Sequence, residues 1–287
     1  MKKKVLIIGR GVAGKRYKEI IVRKFPELEV YTYDRNNKVQ FHDFIIVASS
    51  TNNHYRDTMA SIGNCERILV EKPLVTNLLE LKKVDDYIHN QEIDIFTGDQ
   101  FYHSKALDDL KRFIEKEKEK FKLEITYSDA LNNVTKGKFD SYFYDLMSGG
   151  VLYTFSHAYF AFEFLLNGIE KSLLSTQKRY LAAKPGVMSF VISKWLVKDQ
   201  SEVRVSTDVM SNELKFEICY QSSNSSIFID LIKGEVKTEG KEVLLPQQSR
   251  LDLIENNIVS FLTDTQTDQF AISKSAMNKI WMVMNWE

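Results

Sequence analysis

The sequence has no excess of charge of either sign: 39 lysines and arginines stand against 39 aspartates and glutamates. That balance excludes the dense basic footprint of a nucleic-acid-binding chain. Its one charge run, Glu115 to Lys120, alternates in sign, which is the pattern of a solvated helix end. Cysteine is scarce. Cys65 and Cys219 lie far apart in no CxxC or Cys/His cluster, so they read as two reduced, buried thiols in a reducing compartment. No apolar run approaches the roughly 18 residues that a membrane span needs. The run behind Met1-Lys-Lys-Lys stops at Gly9, too soon for the apolar region of a signal peptide. His, Asp and Glu are not gathered at metal-ligand spacing, His157 and Glu163 being a weak pair, so no metal is expected. Ser156-His157 lacks the glycines of a nucleophile elbow. These exclusions leave a soluble cytoplasmic protein that binds neither nucleic acid nor membrane.

What is present is a chain with a core to bury. Apolar residues are 44% and aromatics 12% of 287 residues, a length suited to two domains. Residues 5–8 form a continuous aliphatic run, as in a strand buried on both faces of a parallel sheet. Comparable runs follow at 29–33, 44–48, 67–71 and 93–98, with helical stretches such as 15–24 and 77–90 between them. This alternation predicts a doubly wound parallel sheet. Nine residues separate Asp34 from Phe44. A crossover to another parallel strand takes about a dozen or more, so the sheet is expected to lack its usual third edge strand.

The texture changes after Phe101. A helix is expected at 105–118, a strand at 122–127, and a further helix from Gly149-Gly150 to about Leu166. From Lys171 to Lys237 the period becomes two: Phe190, Ile192 and Lys194 alternate with Val191, Ser193 and Trp195. Phe216, Ile218 and Tyr220 repeat the spacing, as do Ile227, Ile229 and Leu231. That pattern predicts a mostly antiparallel open sheet with one solvated or partner-covered face. Helices at 249–263 and 272–286 are expected to close the chain.

Gly9-Arg10-Gly11-Val12-Ala13-Gly14 is GxGxxG placed after a strand and before a helix. The first glycine allows the tight turn, the second lets backbone approach a pyrophosphate, and the third permits close helix–strand packing. The helix N-terminus supplies oriented N–H groups and a positive dipole. Twenty residues past Gly14 stands Asp34, placed to accept hydrogen bonds from adenosine ribose hydroxyls. Gly9, Arg10, Gly11, Val12, Ala13 and Asp34 are therefore assigned to a dinucleotide. Arg35 could stack on adenine or contact a 2′-phosphate. The charge of Asp34 disfavours that phosphate, so NAD is preferred and NADP remains open. The expected architecture is an α/β Rossmann domain over 1–101 and an α+β domain with a mostly antiparallel open sheet over 102–287.

These residues, with three further segments, resemble the glucose–fructose oxidoreductase/inositol dehydrogenase (Gfo/Idh/MocA) family. Val47-Ala-Ser-Ser-Thr-Asn-Asn-His54 resembles its V-A-T-P-x-x-x-H, with Ser49-Ser50 in place of Thr-Pro. Glu71-Lys72-Pro73 matches its E-K-P motif, the most specific signature in the chain. Gly149-Gly-Val-Leu-Tyr-Thr-Phe-Ser-His157 resembles the G-G-x-L-x-D-x-S-H segment of members acting on sugars and nucleotide sugars. The resemblance implies a cofactor lying across the glycine loop and Ala48, Ser49 and Ser50, with Glu71 and Lys72 beside it. It implies that Lys72 hydrogen-bonds the reacting hydroxyl or carbonyl and that His157 moves its proton, a task suited to a group titrating near neutral pH. It further implies a small carbohydrate substrate and homodimers, or larger assemblies, formed through the antiparallel sheet.

Departures from the family pattern bear on the substrate side. Thr154 replaces an aspartate, Phe160 a later acidic residue, and Phe101-Tyr102-His103-Ser104 replaces R-F-H-P, losing the arginine. A threonine does not orient a histidine by charge as a carboxylate does. Two readings stay open: an NAD(P)-dependent oxidoreductase of sugars, polyols or nucleotide sugars, or a cofactor-binding but catalytically silent relative with a regulatory or scaffolding role. A reductase of a non-sugar substrate on the same plan is a third. His54 either sits at the mouth of the nicotinamide pocket, as the resemblance implies, or caps the following helix. His103 either faces substrate or is structural. Tyr142 and Tyr144, in the loop before Gly149, are placed to stack on a sugar ring. Tyr153 and Thr154 are assigned to the substrate with them, although Tyr153 also falls at helical spacing with Phe160, the default of a core position.

Overall fold

A computed structural model describes residues 2–33, 39–91, 93–130, 151–181, 184–239, 248–263 and 268–286, with backbone alone for 91, 130, 151–155, 184, 185 and 199. The chain divides into two compact units. One comprises 1–99 and 254–274, the other 100–253 and 275–287.

The aliphatic runs of the first unit become strands β1 (Lys4–Ile8), β2 (Glu29–Tyr33), β3 (Phe44–Val47), β4 (Arg67–Val70) and β5 (Asp94–Thr97). All pair in parallel, in the order β2-β1-β3-β4-β5. Every side chain of β3 is buried, whereas β2 is half-buried, as an edge strand is. No strand lies beyond β2 among the described residues, so the sheet ends where the short 35–43 link predicted. Helices α1 (Val12–Lys24), α2 (Thr51–Ser61) and α3 (Leu78–Gln91) connect the strands. In α1 the buried positions are Gly14, Tyr17, Ile20 and Ile21, one face at helical spacing. That face joins Val5, Ile7, Phe44, Ile46, Leu69 and Phe96 of the sheet in one core.

The same core takes Ile254, Ile258, Phe261 and Leu262 from the end of the chain. Phe261 packs edge-on against Phe44 and Phe96, with ring centroids 5.7 and 5.4 Å apart. Burying a side chain of this size stabilises by about 1.5–3 kcal/mol. Residues 254–274 therefore belong to the first unit, although a boundary at 101/102 assigns everything after it to the second. The reason is packing: the sheet needs an apolar cover that its own crossovers do not supply.

The second unit contains α4 (Lys105–Lys116), β6 (Lys122–Ala130), α5 (Val151–Leu165), β7 (Lys171–Leu181), β8 (Lys184–Val197), β9 (Ser201–Asp208), β10 (Met210–Gln221), β11 (Ser226–Asp230) and β12 (Glu235–Glu239). Helices α6 (Arg250–Thr263) and α7 (Gln269–Met284) each contribute one end to it. Its sheet order is β12-β11-β10-β6-β9-β8-β7, antiparallel except for the parallel pair β6–β9. The period-two pattern sorts as expected. Val191, Trp195, Phe216, Ile218, Tyr220, Ile227 and Ile229 are buried, while Lys194, Glu202 and Arg204 are exposed. Helix α5 packs on β6, β8 and β9 with Tyr159, Phe160 and Phe162 buried.

Candidate functional site

The chain runs from β1 out to β2 and returns past β1 to β3, so strand order reverses between β1 and β3. Open α/β sheets bind ligands outside the carboxyl ends of the strands at such a switch point. The glycine loop leaves β1 there. Gly9 has φ +126°, and a Cβ on it would lie 2.2 Å from the Ala48 carbonyl oxygen at the end of β3. A Cβ on Gly14 would lie 2.1 Å from the Gly9 carbonyl oxygen. The protein's own packing thus demands both glycines. Gly11 is different. It is the N-cap of α1 with φ −72°, and among the described residues no atom lies within 4 Å of a Cβ built on it. Its missing side chain leaves room on the outer side of the loop.

That room borders two helix N-termini. No side chain among the described residues caps α1, whose first turn carries no acidic residue; the same holds for α2 after β3. The first N–H groups of such helices are donors for an anion. Arg10, Gly11 and Val12 are exposed at the loop tip and Ala13 is half-buried. Ala48 is buried and its N–H donates to the Ile8 carbonyl at 2.8 Å, joining the two strand ends. The buried Ser49 hydroxyl has no hydrogen-bond partner among the described residues. Ser50 is exposed at the N-cap of α2, and its Oγ accepts from Asn53 Nδ2 at 2.5 Å. An orphaned buried hydroxyl, an unfilled cradle at Gly11 and two open helix ends are features that a dinucleotide pyrophosphate and its ribose fit. Asp34 and Arg35 lie outside the described residues.

His54 lies on the inner face of α2, 2% exposed. Its Nδ1 is 2.7 Å from the Pro73 carbonyl and its Nε2 3.0 Å from the Ser49 carbonyl. The ring thus bridges the loop after β3 to the Glu71-Lys72-Pro73 loop after β4. It does not cap the helix, whose N-cap is Ser50. Glu71 is gripped on three sides. Tyr17 of α1 donates its hydroxyl to Oε1, the Lys72 N–H donates to Oε2 at 3.0 Å, and a Cβ on Gly98 would lie 2.9 Å from Oε2. Burial first, and the Glu71 carboxylate second, hold the Tyr17 phenol well above its usual range. Lys72 is half-buried, and its peptide bond to Pro73 is cis. Tyr17 and Gly98 were missed in the sequence. Tyr17 reads as one more core position of an amphipathic helix, and no local pattern marks Gly98.

In the second unit His157 is 1% exposed, on the inner face of α5. Its ring lies 5.2 Å from those of Phe101 and Tyr127, and 6.4 Å from Phe216. Phe101, at the position of the family arginine, meets Phe216 edge-on at 4.7 Å. An aromatic shell thus replaces a basic group next to this histidine. His103 is half-buried, 5.2 Å edge-on from Tyr102, which also meets Phe164. Phe160 stacks on Phe164 in the core. Glu163, buried, pairs with Lys171 at 3.2 Å and accepts from Ser275 Oγ at 2.7 Å. Tyr142 and Tyr144 lie outside the described residues, as do the side chains of Tyr153 and Thr154. Among the described residues no group of three His, Cys, Asp or Glu side chains is placed to hold a metal, and no helix is long and apolar enough to cross a membrane.

The parallel sheet with an open switch point and the seven-stranded mostly antiparallel sheet are the two parts of the fold expected from the sequence. Comparison with solved structures agrees. The chain superposes on myo-inositol 2-dehydrogenase from Lactobacillus plantarum with a TM-score of 0.78 at 14% identity, covering 99% of this chain and 96% of that one. For UDP-N-acetylglucosamine 3-dehydrogenase from Acidithiobacillus ferrooxidans the TM-score is 0.76 at 10% identity, over 99% and 97%. For biliverdin reductase from Synechocystis sp. PCC 6803, in complex with biliverdin and NADP+, it is 0.75 at 12% identity, over 99% and 98%. At these identities the likeness is one of fold. No family model and no curated protein sequence matches the chain.

Proposed function

We propose that this protein is an NAD(P)-dependent oxidoreductase acting on the CH–OH group of a sugar, polyol or nucleotide sugar. The observation that carries the reading is the switch point: two open helix N-termini flank Gly11, whose missing side chain no protein packing requires, and Lys72 follows the next strand. The glycine loop would hold the pyrophosphate, Ala48, Ser49 and Ser50 the adjoining ribose, and Asp34 the adenosine hydroxyls. The charge of Asp34 favours NAD over NADP. A bound nicotinamide supplies or accepts the hydride. Lys72 hydrogen-bonds the reacting oxygen and stabilises charge there. His157 holds or releases the hydroxyl proton.

The solved relatives of this fold support the reading, since their names include a polyol dehydrogenase, a nucleotide-sugar dehydrogenase and an NADP-binding reductase. Domain roles follow: residues 1–101 carry the cofactor, and most of 102–287 carries the substrate and the dimer contact, through the outer face of the antiparallel sheet. A cytoplasmic setting suits two unbridged cysteines. One observation favours the second reading, a cofactor-binding but silent relative: the aromatic shell of Phe101, Tyr127 and Phe216 around His157. Titrating the protein with NADH and with ADP-ribose by fluorescence and thermal shift tests the cofactor half. Binding of neither at millimolar concentration overturns the proposal.

A further inference from the structure

Tyr17 sits at a core position of α1, between Gly14 and the buried Ile20 and Ile21. Phenylalanine would fill such a position without a buried hydroxyl to satisfy. The hydroxyl instead reaches across to Glu71, beyond the end of β4, and the other oxygen of that carboxylate receives the Lys72 N–H at 3.0 Å. Gly98, after β5, gives up a side chain at the place where Glu71 lies, a Cβ there falling 2.9 Å from both Glu71 Cα and Oε2. Three segments of the first unit thus converge on one carboxylate, and that carboxylate touches the backbone of Lys72. A charge-assisted hydrogen bond from a buried phenol is strong and directional. It ties the helix that begins at the glycine loop to the loop that bears Lys72.

We propose that Tyr17 is a positioning residue for Lys72: through Glu71 it fixes the Lys72 loop against the helix that receives the pyrophosphate. The inference rests on the reading of this unit as a nicotinamide-dinucleotide site. It predicts that the adenine half and the nicotinamide half of the ligand respond differently to loss of the hydroxyl. ADP-ribose needs only the glycine loop and its helix, whereas NADH must also dock beside Lys72.

The test is a double-mutant cycle of Tyr17→Phe and Glu71→Gln in the full-length protein, read by fluorescence titration with ADP-ribose and NADH, with thermal midpoints recorded alongside. The expected result is ADP-ribose affinity within twofold of the parent in every variant, and NADH affinity about tenfold weaker in each single variant. The double variant is expected to be no weaker than the singles, because one chain of contacts has been cut twice. Lys72→Ala then adds nothing to Tyr17→Phe in NADH binding. Parent-like NADH affinity in Tyr17→Phe overturns the inference, as does a parallel loss of both ligands, which marks a merely structural tyrosine. Should Tyr17→Phe fold poorly, Glu71→Gln against Lys72→Ala carries the same comparison. A parent protein that binds neither ligand is a different failure and overturns the cofactor reading itself.

Discussion

Gly9 and Gly11 share a loop and are glycine for different physical reasons, which two alanine substitutions separate. At Gly9 the backbone is left-handed and a Cβ meets the Ala48 carbonyl at 2.2 Å, so Gly9→Ala strains the fold with or without ligand. A strain of about 1–3 kcal/mol lowers the thermal midpoint by several degrees. At Gly11 a Cβ meets no atom of the described residues, so Gly11→Ala leaves stability within about 0.5 kcal/mol of the parent. Under the proposed function it is nevertheless expected to weaken NADH binding at least tenfold, because the new methyl would occupy the room assigned to the pyrophosphate. Thermal denaturation beside NADH titration checks both halves; intact affinity in Gly11→Ala refutes the cradle. The thiols give a second residue-scale prediction. Burial, aided by the Glu66 charge, pushes the Cys65 thiol up to about 12, so at pH 8 about one molecule in ten thousand carries the thiolate. Cys219 is raised too, by partial burial and then by the Glu124 and Glu217 carboxylates, yet it is exposed, which corrects the expectation that both thiols are buried. Iodoacetamide is expected to label Cys219 in the native protein and Cys65 only on unfolding. Native labelling of Cys65 should rise about tenfold per pH unit, because its thiolate fraction does so below its pKa.

At the scale of elements, β5 shows how an edge strand of a parallel sheet is closed. The Thr97 N–H donates to Gln269 Oε1 at 3.1 Å, Asn257 Nδ2 donates to the Thr97 carbonyl at 3.1 Å, and Gln269 Nε2 donates to Asn257 Oδ1 at 3.2 Å. Two side chains from α6 and α7 thus stand in for a missing strand. Asn257→Leu keeps the volume but strands the Thr97 carbonyl and the Gln269 amide in a buried place. It is expected to cost about 2–4 kcal/mol, since each unmet buried group costs about 1–3 kcal/mol, as measured by urea denaturation. Nothing in the sequence pointed to this network, because its partners are 160 and 172 residues apart. Hydrophobic period did mark the five parallel strands to within a residue at each end, since a strand covered on both faces must be apolar throughout. It also marked the inward faces of β8, β10 and β11. The glycine loop and the Glu71-Lys72-Pro73 loop were legible as motifs and as loops after β1 and β4, because each is a run of neighbouring residues. His54 was legible only as a position. Its bridge between two loops depends on where β3 and β4 end, which spacing does not encode.

For the whole molecule the proposed function predicts dinucleotide binding and hydride transfer, and Lys72 and His157 test the second from separate units. Substituting His157 by alanine would leave a hole beside Phe101, Tyr127 and Phe216, so a loss of activity would be confounded with a loss of packing. His157→Phe avoids this. The aromatic shell accepts a ring of similar size, and the thermal midpoint is expected to stay within a few degrees of the parent. Proton transfer has no such substitute. An oxidoreductase that uses His157 as its acid and base loses about 10²–10⁴ in turnover with that change, while NADH affinity, which the proposed function assigns to the first unit, is expected to hold. Lys72→Ala is expected to lower turnover comparably, and, under the proposed function, the two together to cost far less than the product of their separate effects, as groups serving one step do. The assay is NADH formation from NAD over a panel of polyols, sugars and nucleotide sugars, run also in reverse. A parent that binds NADH yet turns over nothing in that panel, and gains activity when Thr154→Asp restores the carboxylate of the sugar-active members, is a decayed site and supports the silent reading. Turnover in the parent that falls on Thr154→Asp marks a site adapted to threonine and supports the oxidoreductase reading.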